Sequence, residues 1–422
     1  MEIFTEISSI ILLVTAVSFV MKLLKQPFIV GYILTGIIVG PFVLNLLRST
    51  QNVEFLSQIG ITILLFIVGL GLNPKVLHEV GKISLITGIG QVVFTSTIGY
   101  LLCRTIGLDH LSSIYISIAL TFSSTIIILK ILTDKGDIDA LYGKISIGFL
   151  LVQDIIATII LIIVSSVAYS QTGNLTLTLS LLAIKGLLAG SALLLTSKII
   201  IPKALHFAST SQELLFLFSI AWCIVLSSVF YQLGFSIEIG ALIAGITLSS
   251  TPFAPEIGSR MKPLRDFFIL LFFILLGSQM LITALPQILI PSLLLSLFVL
   301  IGNPLVVFIL MNLLGYKKKT GFMAGLTVAQ ISEFSLILAK LGFSVGHISE
   351  NSLSLITLVG LITIAGSTYL IIYADNIYRL MEKYLTIFEW RKISNEKSIS
   401  TSKPADIILF GYDRAGPDFV KL

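Results

Sequence analysis

From residue 6 to residue 381 the chain is a near-continuous succession of apolar stretches, each about long enough to cross a bilayer, parted by short polar or Pro/Gly-bearing breaks. A hydrocarbon core of about 30 Å needs roughly 20 mostly apolar residues as a helix, and within it every backbone N–H and C=O must be satisfied internally. Composition removes the soluble alternative: 56% of residues are hydrophobic, 12% are charged and the mean hydropathy is +1.03. Thirteen helical spans are expected, near 6–22, 28–45, 54–72, 83–103, 111–131, 144–168, 176–198, 213–232, 236–249, 265–281, 285–314, 320–341 and 352–380. The first, "ISSIILLVTAVSFVMKLLK", has its basic residues behind it and no small-residue cleavage site, so it is read as a retained helix.

Cationic residues in short loops favour the cytoplasmic side. Here Lys22 and Lys25, Lys75 and Lys82, Lys130, Lys135 and Lys144, Lys198 and Lys203, Arg260, Lys262 and Arg265, and Lys317 to Lys319 fall in every second loop. The other loops hold only Arg48, Arg104 and Lys340. The expected topology is an external N-terminus and a cytoplasmic tail in a prokaryotic plasma membrane. The net charge of +5 is spread over these loops and forms no basic stripe, so no nucleic-acid partner is expected. Cys103 and Cys223 sit in apolar runs as small hydrophobes.

The chain also repeats itself. "GYILTGIIVG" at 31 and "GALIAGITLS" at 240 share a Gly-x4-Gly spacing at an offset of 209, and "ILLFIVGLG" at 63 resembles "ILLFFILLG" at 269 at an offset of 206 to 208. Seven spans separate the partners, an odd number, so the halves cross the membrane in opposite senses. Such inverted repeats are common in secondary transporters, whose sites lie near the midplane where helices break.

Two breaks are predicted. Span five packs Thr121, Ser123, Ser124 and Thr125 into "ALTFSSTIIILK"; at the corresponding place in the second half, "LTVAQISEFSLILAK" places Gln330, Ser332, Glu333 and Ser335 in mid-span. Clustered hydroxyls can satisfy backbone groups freed by unwinding, and half-helix ends would offer carbonyls to a cation and N-termini to an anion. In the next span stands Asp154, in "GFLLVQDIIATIILII", with Gln153 and Thr158 as its only polar company. A mid-membrane carboxylate costs at least about 2.5–3.5 kcal/mol and usually marks an ion or proton path. Glu333 is the only comparably deep acid; it fits either a titrating role or a fixed counter-charge. Lys185 has no evident partner and is expected to snorkel or to line an interface.

These residues make the chain resemble the Kef-type branch of the monovalent cation:proton antiporter-2 family. The resemblance is carried by "KQPFIVGYILTGIIVGP", "LSQIGITILLFIVGLGLNPKVL", "ALTFSSTIIILKILTDKGDIDALYGKISIGFLLVQD", "MKPLRDFFILLFFILLG" and "GLTVAQISEFSLILA". It implies an all-α sodium/proton-antiporter-like fold with crossed broken helices. It also implies a homodimer in which a scaffold, about 6–72 and 213–281, supports a mobile core, about 83–168 and 285–380, joined by helix 176–198 and working as an elevator. By the same resemblance Asp154 is the ion- and proton-binding acid, a monovalent cation binding there. Gln153, Thr121, Ser123, Ser124 and Thr125 surround it, and Glu333, Ser332, Gln330 and Asn303 are supporting polar residues.

Three departures matter. Electrogenic relatives carry two adjacent acids where this chain has Gln153-Asp154. Many members carry Lys or Arg in span eleven where this chain has Asn303, and Gly71 stands where the family often has an acid. One acid without a basic partner implies one cation against one proton, electroneutrally.

Beyond the transmembrane domain, residues 1–385, a polar linker (386–404) leads to "ADIILFGYDRAGPDFVKL" (405–422), which resembles the first strand and turn of a Rossmann-type regulatory unit. Such a turn needs glycines against a pyrophosphate. The pattern here is Gly411, Asp413, Gly416, and Asp413 would crowd and repel a phosphate. The unit ends at Leu422 inside what would be its first helix and is expected to be truncated or vestigial. No cofactor is therefore expected; a nucleotide would require a full-length C-terminal domain that tolerates Asp413. A cytoplasmic regulatory domain or subunit is a conceivable partner, beside lipids.

The expected function is exchange of K+, favoured, or Na+ for H+. The alternatives are a gated efflux pathway with channel-like kinetics and a non-transporting sensor. An intramembrane aspartyl protease needs two cooperating mid-membrane aspartates, and a zinc protease an H-E-x-x-H; the chain has neither, and no enzymatic activity is expected.

Overall fold

The structure is a computed structural model that describes residues 2–47, 50–71, 81–137, 140–168, 193, 201–233, 235 and 237–386. Span 176–198 except residue 193, Lys185, the linker from 387, the segment with Gly411, Asp413 and Gly416, and Arg48, Lys75 and Lys198 lie outside these residues. Among the described residues all regular structure is helical. The other twelve expected spans each coincide with a helix or a pair of half-helices.

In the first half these are α1 (Glu2–Leu23), α2 (Phe28–Val39), α3 (Thr50–Gly71), α4 (Gly81–Thr105), the half-helices α5 (His110–Ala119) and α6 (Thr125–Lys135), and α7 (Leu141–Ala168). In the second they are α8 (Gln212–Gln232), α9 (Ile237–Ser249), α10 (Ala254–Ser278), α11 (Leu285–Leu297) running through a π-helical segment into α12 (Asn303–Leu313), the half-helices α13 (Lys318–Leu326) and α14 (Glu333–Ser344), and α15 (Glu350–Ile372). A last helix, α16 (Ala374–Leu385), follows. Long apolar side chains such as Leu85, Val93, Ile159 and Ile163 face outward, where lipid takes the place of water. Inside, hydroxyls bond back to carbonyls one turn earlier, as Thr35 does to Gly31 and Ser219 to Leu215.

The inverted repeat is built into one packed layer. Helix α2 crosses α10 at Gly36 and Gly277, and α3 crosses α9 at Gly69 and Gly245. A Cβ on Gly36 would overlap the Ile274 carbonyl and one on Gly277 the Ile33 carbonyl; one on Gly245 would overlap Phe66 and one on Gly69 Leu242. Offsets of 208 and 209 turn the first crossing into the second: Gly36 into Gly245, Gly69 into Gly277. The structure thus selects 208 from the range of 206 to 208 for the α3/α10 pair. Without a hydrophobic drive between helices in lipid, such close backbone approach supplies the packing energy. Gly36→Val or Gly277→Val is expected to cost about 1–3 kcal/mol or more by overpacking, seen as a lowered melting temperature in detergent. Gly258→Ala, where a Cβ meets nothing within 4 Å inside α10, does not lower it and is expected to raise it slightly.

The second layer consists of α4, the half-helix pairs, α7, α12 and α15 packed on one another. Lys340 of α14 ties the layers, bonding Glu54 of α3 at 3.1 Å and the Gln279 amide oxygen at 3.0 Å.

Three boundaries differ from expectation. Span two ends at Val39, because Gly40 is extended before Pro41. Span ten begins at Ala254, so its basic residues are helical. Span thirteen, expected at 352–380, is two helices meeting at Tyr373. The second of these, α16, buries Tyr378 beside Phe322 and presents Asp375 to Lys135 and Lys319, and Glu382 to Lys318. It is an amphipathic surface helix, not the end of a span.

Candidate functional site

Both predicted breaks are present, and the helices that follow them correspond at an offset of 208. The chain leaves α5 at Leu120 and re-enters helix with Ser124 as the N-cap of α6; it leaves α13 at Thr327 and re-enters with Ser332 as the N-cap of α14. Thr125 and Glu333 are thus equivalent first residues of two half-helices. The two unwound segments touch where the Ser123 hydroxyl reaches the Val328 carbonyl at 3.4 Å.

The two deep acids meet neighbouring residues of the first break. The Ser124 hydroxyl donates to Glu333 Oε2 at 2.9 Å, and the Thr125 hydroxyl donates to Asp154 Oδ2 at 2.9 Å. Glu333 is buried at the positive N-terminus of α14, with the Ser332 hydroxyl also directed at Oε2. Asp154 and Thr125 are partly exposed, whereas Thr121, Ser123, Ser124 and Gln153 are buried. None of the ion pairs among the described residues includes Asp154 or Glu333.

Of the residues expected around Asp154, only Thr125 bonds to it. The Thr121 hydroxyl turns back on its own helix, to the Ile118 carbonyl. Gln153 turns away: its oxygen accepts the Ser123 N–H at 3.1 Å, and its amide N–H donates to Gln91 Oε1 at 2.7 Å. Gln91 donates in turn to the Thr121 carbonyl and to Thr95, and Thr95 to Asn303 Oδ1 at 2.8 Å. Asn303 closes the chain by donating to the Leu120 carbonyl at 3.1 Å. Gln330 accepts from Ser367 at 2.7 Å.

The amides of 153, 91 and 303 therefore satisfy the carbonyls of 120 and 121 and the N–H of 123, groups that unwinding strips of helical partners. Asn303 is delivered to them by the π-helical turn Phe298–Gly302; Pro304 next to it has no N–H to continue the α ladder. Gln91 and Thr95 escape notice in the sequence as single polar residues of an apolar span. Their signal is spacing: Ser84, Thr87, Gln91, Thr95 and Gly99 share the buried face of α4.

The sequence profile described as sodium/hydrogen exchanger, transmembrane, matches residues 9–372. The chain belongs to the sodium/hydrogen exchanger family. It is similar to YbaL of Escherichia coli (strain K12), named for cation/proton antiport, with 29% identity over 92% of this chain and 71% of that protein. It is similar to K(+) efflux antiporter 4 of Arabidopsis thaliana, with 30% identity over 79% of this chain and 57% of that protein. The chain spans between about half and three-quarters of the length of these relatives. Its fold is that of the sodium proton antiporter MjNhaP1 from Methanocaldococcus jannaschii at a TM-score of 0.59, with 20% identity, covering 91% of this chain and all of that one. The Kef-type resemblance is borne out by these relatives. The chain is an integral membrane protein of an antiporter family, with seven described helices long and apolar enough to cross a bilayer.

Proposed function

We propose that the protein exchanges one monovalent cation, K+ by preference, for one proton, electroneutrally and by alternating access. The observation that carries this reading is the pairing of Asp154. It is a deep carboxylate bonded to a neutral hydroxyl and, among the described residues, to no cationic side chain, so its charge is available for either H+ or a cation, never both. Thr125 is a ready second oxygen ligand. Glu333, anchored by two hydroxyls and a helix N-terminus, is read as a fixed counter-charge, and Gln153 and Asn303 as a clamp on the unwound chain. The names of the K+ efflux relatives favour K+ over Na+.

In this reading the glycine-crossed layer is the scaffold and dimerising surface, and the broken-helix layer is the moving core. The Lys340 tie to Glu54 and Gln279 must part when the core moves. Residues 386–422 are read as the linker and the start of a regulatory unit, at the cytoplasmic face of a prokaryotic plasma membrane.

The test is collapse of an imposed pH gradient in proteoliposomes on adding K+, Na+, Li+ or Rb+. Saturable collapse, strongest with K+, is expected. A K+ conductance in planar bilayers without proton movement would establish the channel reading instead.

A further inference from the structure

Helix α7 adds two hydroxyls, Thr158 and Ser165, to the face that carries Asp154. Residues 154, 158, 161 and 165 are spaced by four, three and four and share one face. Leu161 and Ser165 line a cavity of about 260 Å³ between the two layers, which Glu54, Glu238, Lys340 and Ser344 also line. Thr158 lies between this cavity and Asp154. It is 4% exposed, yet its hydroxyl has no hydrogen-bond partner among the described residues. Other helical threonines here bond back to the preceding turn, as Thr97, Thr133 and Thr357 do, or reach a side chain on another helix, as Thr95 does to Asn303; among the described residues the Thr158 hydroxyl does neither. Leaving a buried hydroxyl unpaired is unfavourable, and a hydroxyl freed from the helix ladder can serve a ligand that comes and goes.

We propose that Thr158 is a transit ligand, an oxygen that holds the partly dehydrated monovalent cation between the Glu54/Ser165 cavity and Asp154. This rests on the exchange reading above and adds a residue and a side to it. The hydroxyl replaces one water of the ion's hydration shell, so dehydration occurs in two steps rather than at the carboxylate alone. Removing it hinders loading from the cavity side and leaves loading from the opposite side intact.

The experiment compares Thr158→Val and Thr158→Ser with the wild-type chain in right-side-out and inside-out membrane vesicles, titrating K+ on the outer face of each. Thr158→Val is expected to raise the KM for K+ about fivefold to tenfold when the Glu54 side faces the medium and less than twofold in the other orientation, with little change in maximal rate. Thr158→Ser, which keeps the oxygen, stays within twofold of wild type in both.

Where Val impairs folding, Thr158→Cys in a chain lacking Cys103 and Cys223 gives a second readout. A small cationic thiosulfonate should label it from the Glu54 side, and K+ should slow the labelling. Unchanged KM on the cavity side, an equal rise on both sides, failure of Ser to rescue, or labelling indifferent to K+ overturns the proposal. Absence of exchange in the wild-type vesicles overturns the exchange reading itself.

Discussion

Asp154→Asn is expected to abolish cation-dependent proton movement in proteoliposomes while the protein still folds and purifies. Asn is nearly isosteric and can still accept the Thr125 hydroxyl bond, so the packing around residue 154 changes little. What it loses is the charge and the titrating oxygen together. Removing one member of a buried charge contact costs about 2–5 kcal/mol, and every 1.4 kcal/mol is about tenfold in affinity. The bound cation should therefore be weakened by about two orders of magnitude or more, and the proton has no site at all. Wild-type melting behaviour with exchange at the background rate is the expected pair of results. A variant that still exchanges at a tenth of the wild-type rate would remove Asp154 from the centre of the mechanism.

The second large effect is expected at a residue that does not touch the ion. Gln153→Leu leaves the Ser123 N–H and Gln91 Oε1 buried without the partners they have now. Each unpaired group costs about 1–3 kcal/mol, and the Ser123 N–H sits on the unwound segment that delivers Ser124 and Thr125 to the two acids, which Gln91 of α4 also holds through the Thr121 carbonyl. A melting temperature lower by several degrees and exchange reduced at least about tenfold are expected together. Gln91→Leu should do much the same, since it also frees the Thr121 carbonyl. Because the two amides hold each other, the double variant should be less impaired than the sum of the singles. Additive losses would mean that the two side chains act independently and that the clamp does not work as a unit.

How far the sequence reveals this arrangement depends on the kind of information each part needs. Span positions rest on hydropathy alone, and the two breaks on hydroxyls too densely packed for an ordinary apolar helix, so Ser124 and Ser332 fall at the predicted interruptions. The glycine crossings were foreshadowed by the Gly-x4-Gly repeat, although only the packed carbonyls of Ile274 and Phe66 fix the register. Helix α16 was absorbed into the last span because Tyr378 and Leu380 to Met381 prolong its apolar reading; the turn at Tyr373 depends on tertiary ion pairs to Lys135, Lys318 and Lys319.

Within the site, the sequence places residues but does not aim them. Gln153 adjoins Asp154 in the chain, yet one residue turns a helical side chain by about 100°, which directs it to Gln91 and the broken backbone. Asn303 is legible as a missing basic residue, but its partner, the Leu120 carbonyl, is supplied by the crossing of the two halves. The role of Thr158 depends on a bond it does not make, which no pattern of residues announces.

The central claim is that a single site at Asp154 carries either one cation or one proton. It is tested most directly by the gradients at which net flux vanishes in proteoliposomes, with the membrane potential set independently by a permeant anion. One-for-one exchange predicts zero net proton movement whenever the K+ ratio across the membrane equals the H+ ratio, at every imposed potential. A null point that moves with potential, or that falls where the K+ ratio equals the square of the H+ ratio, would contradict it.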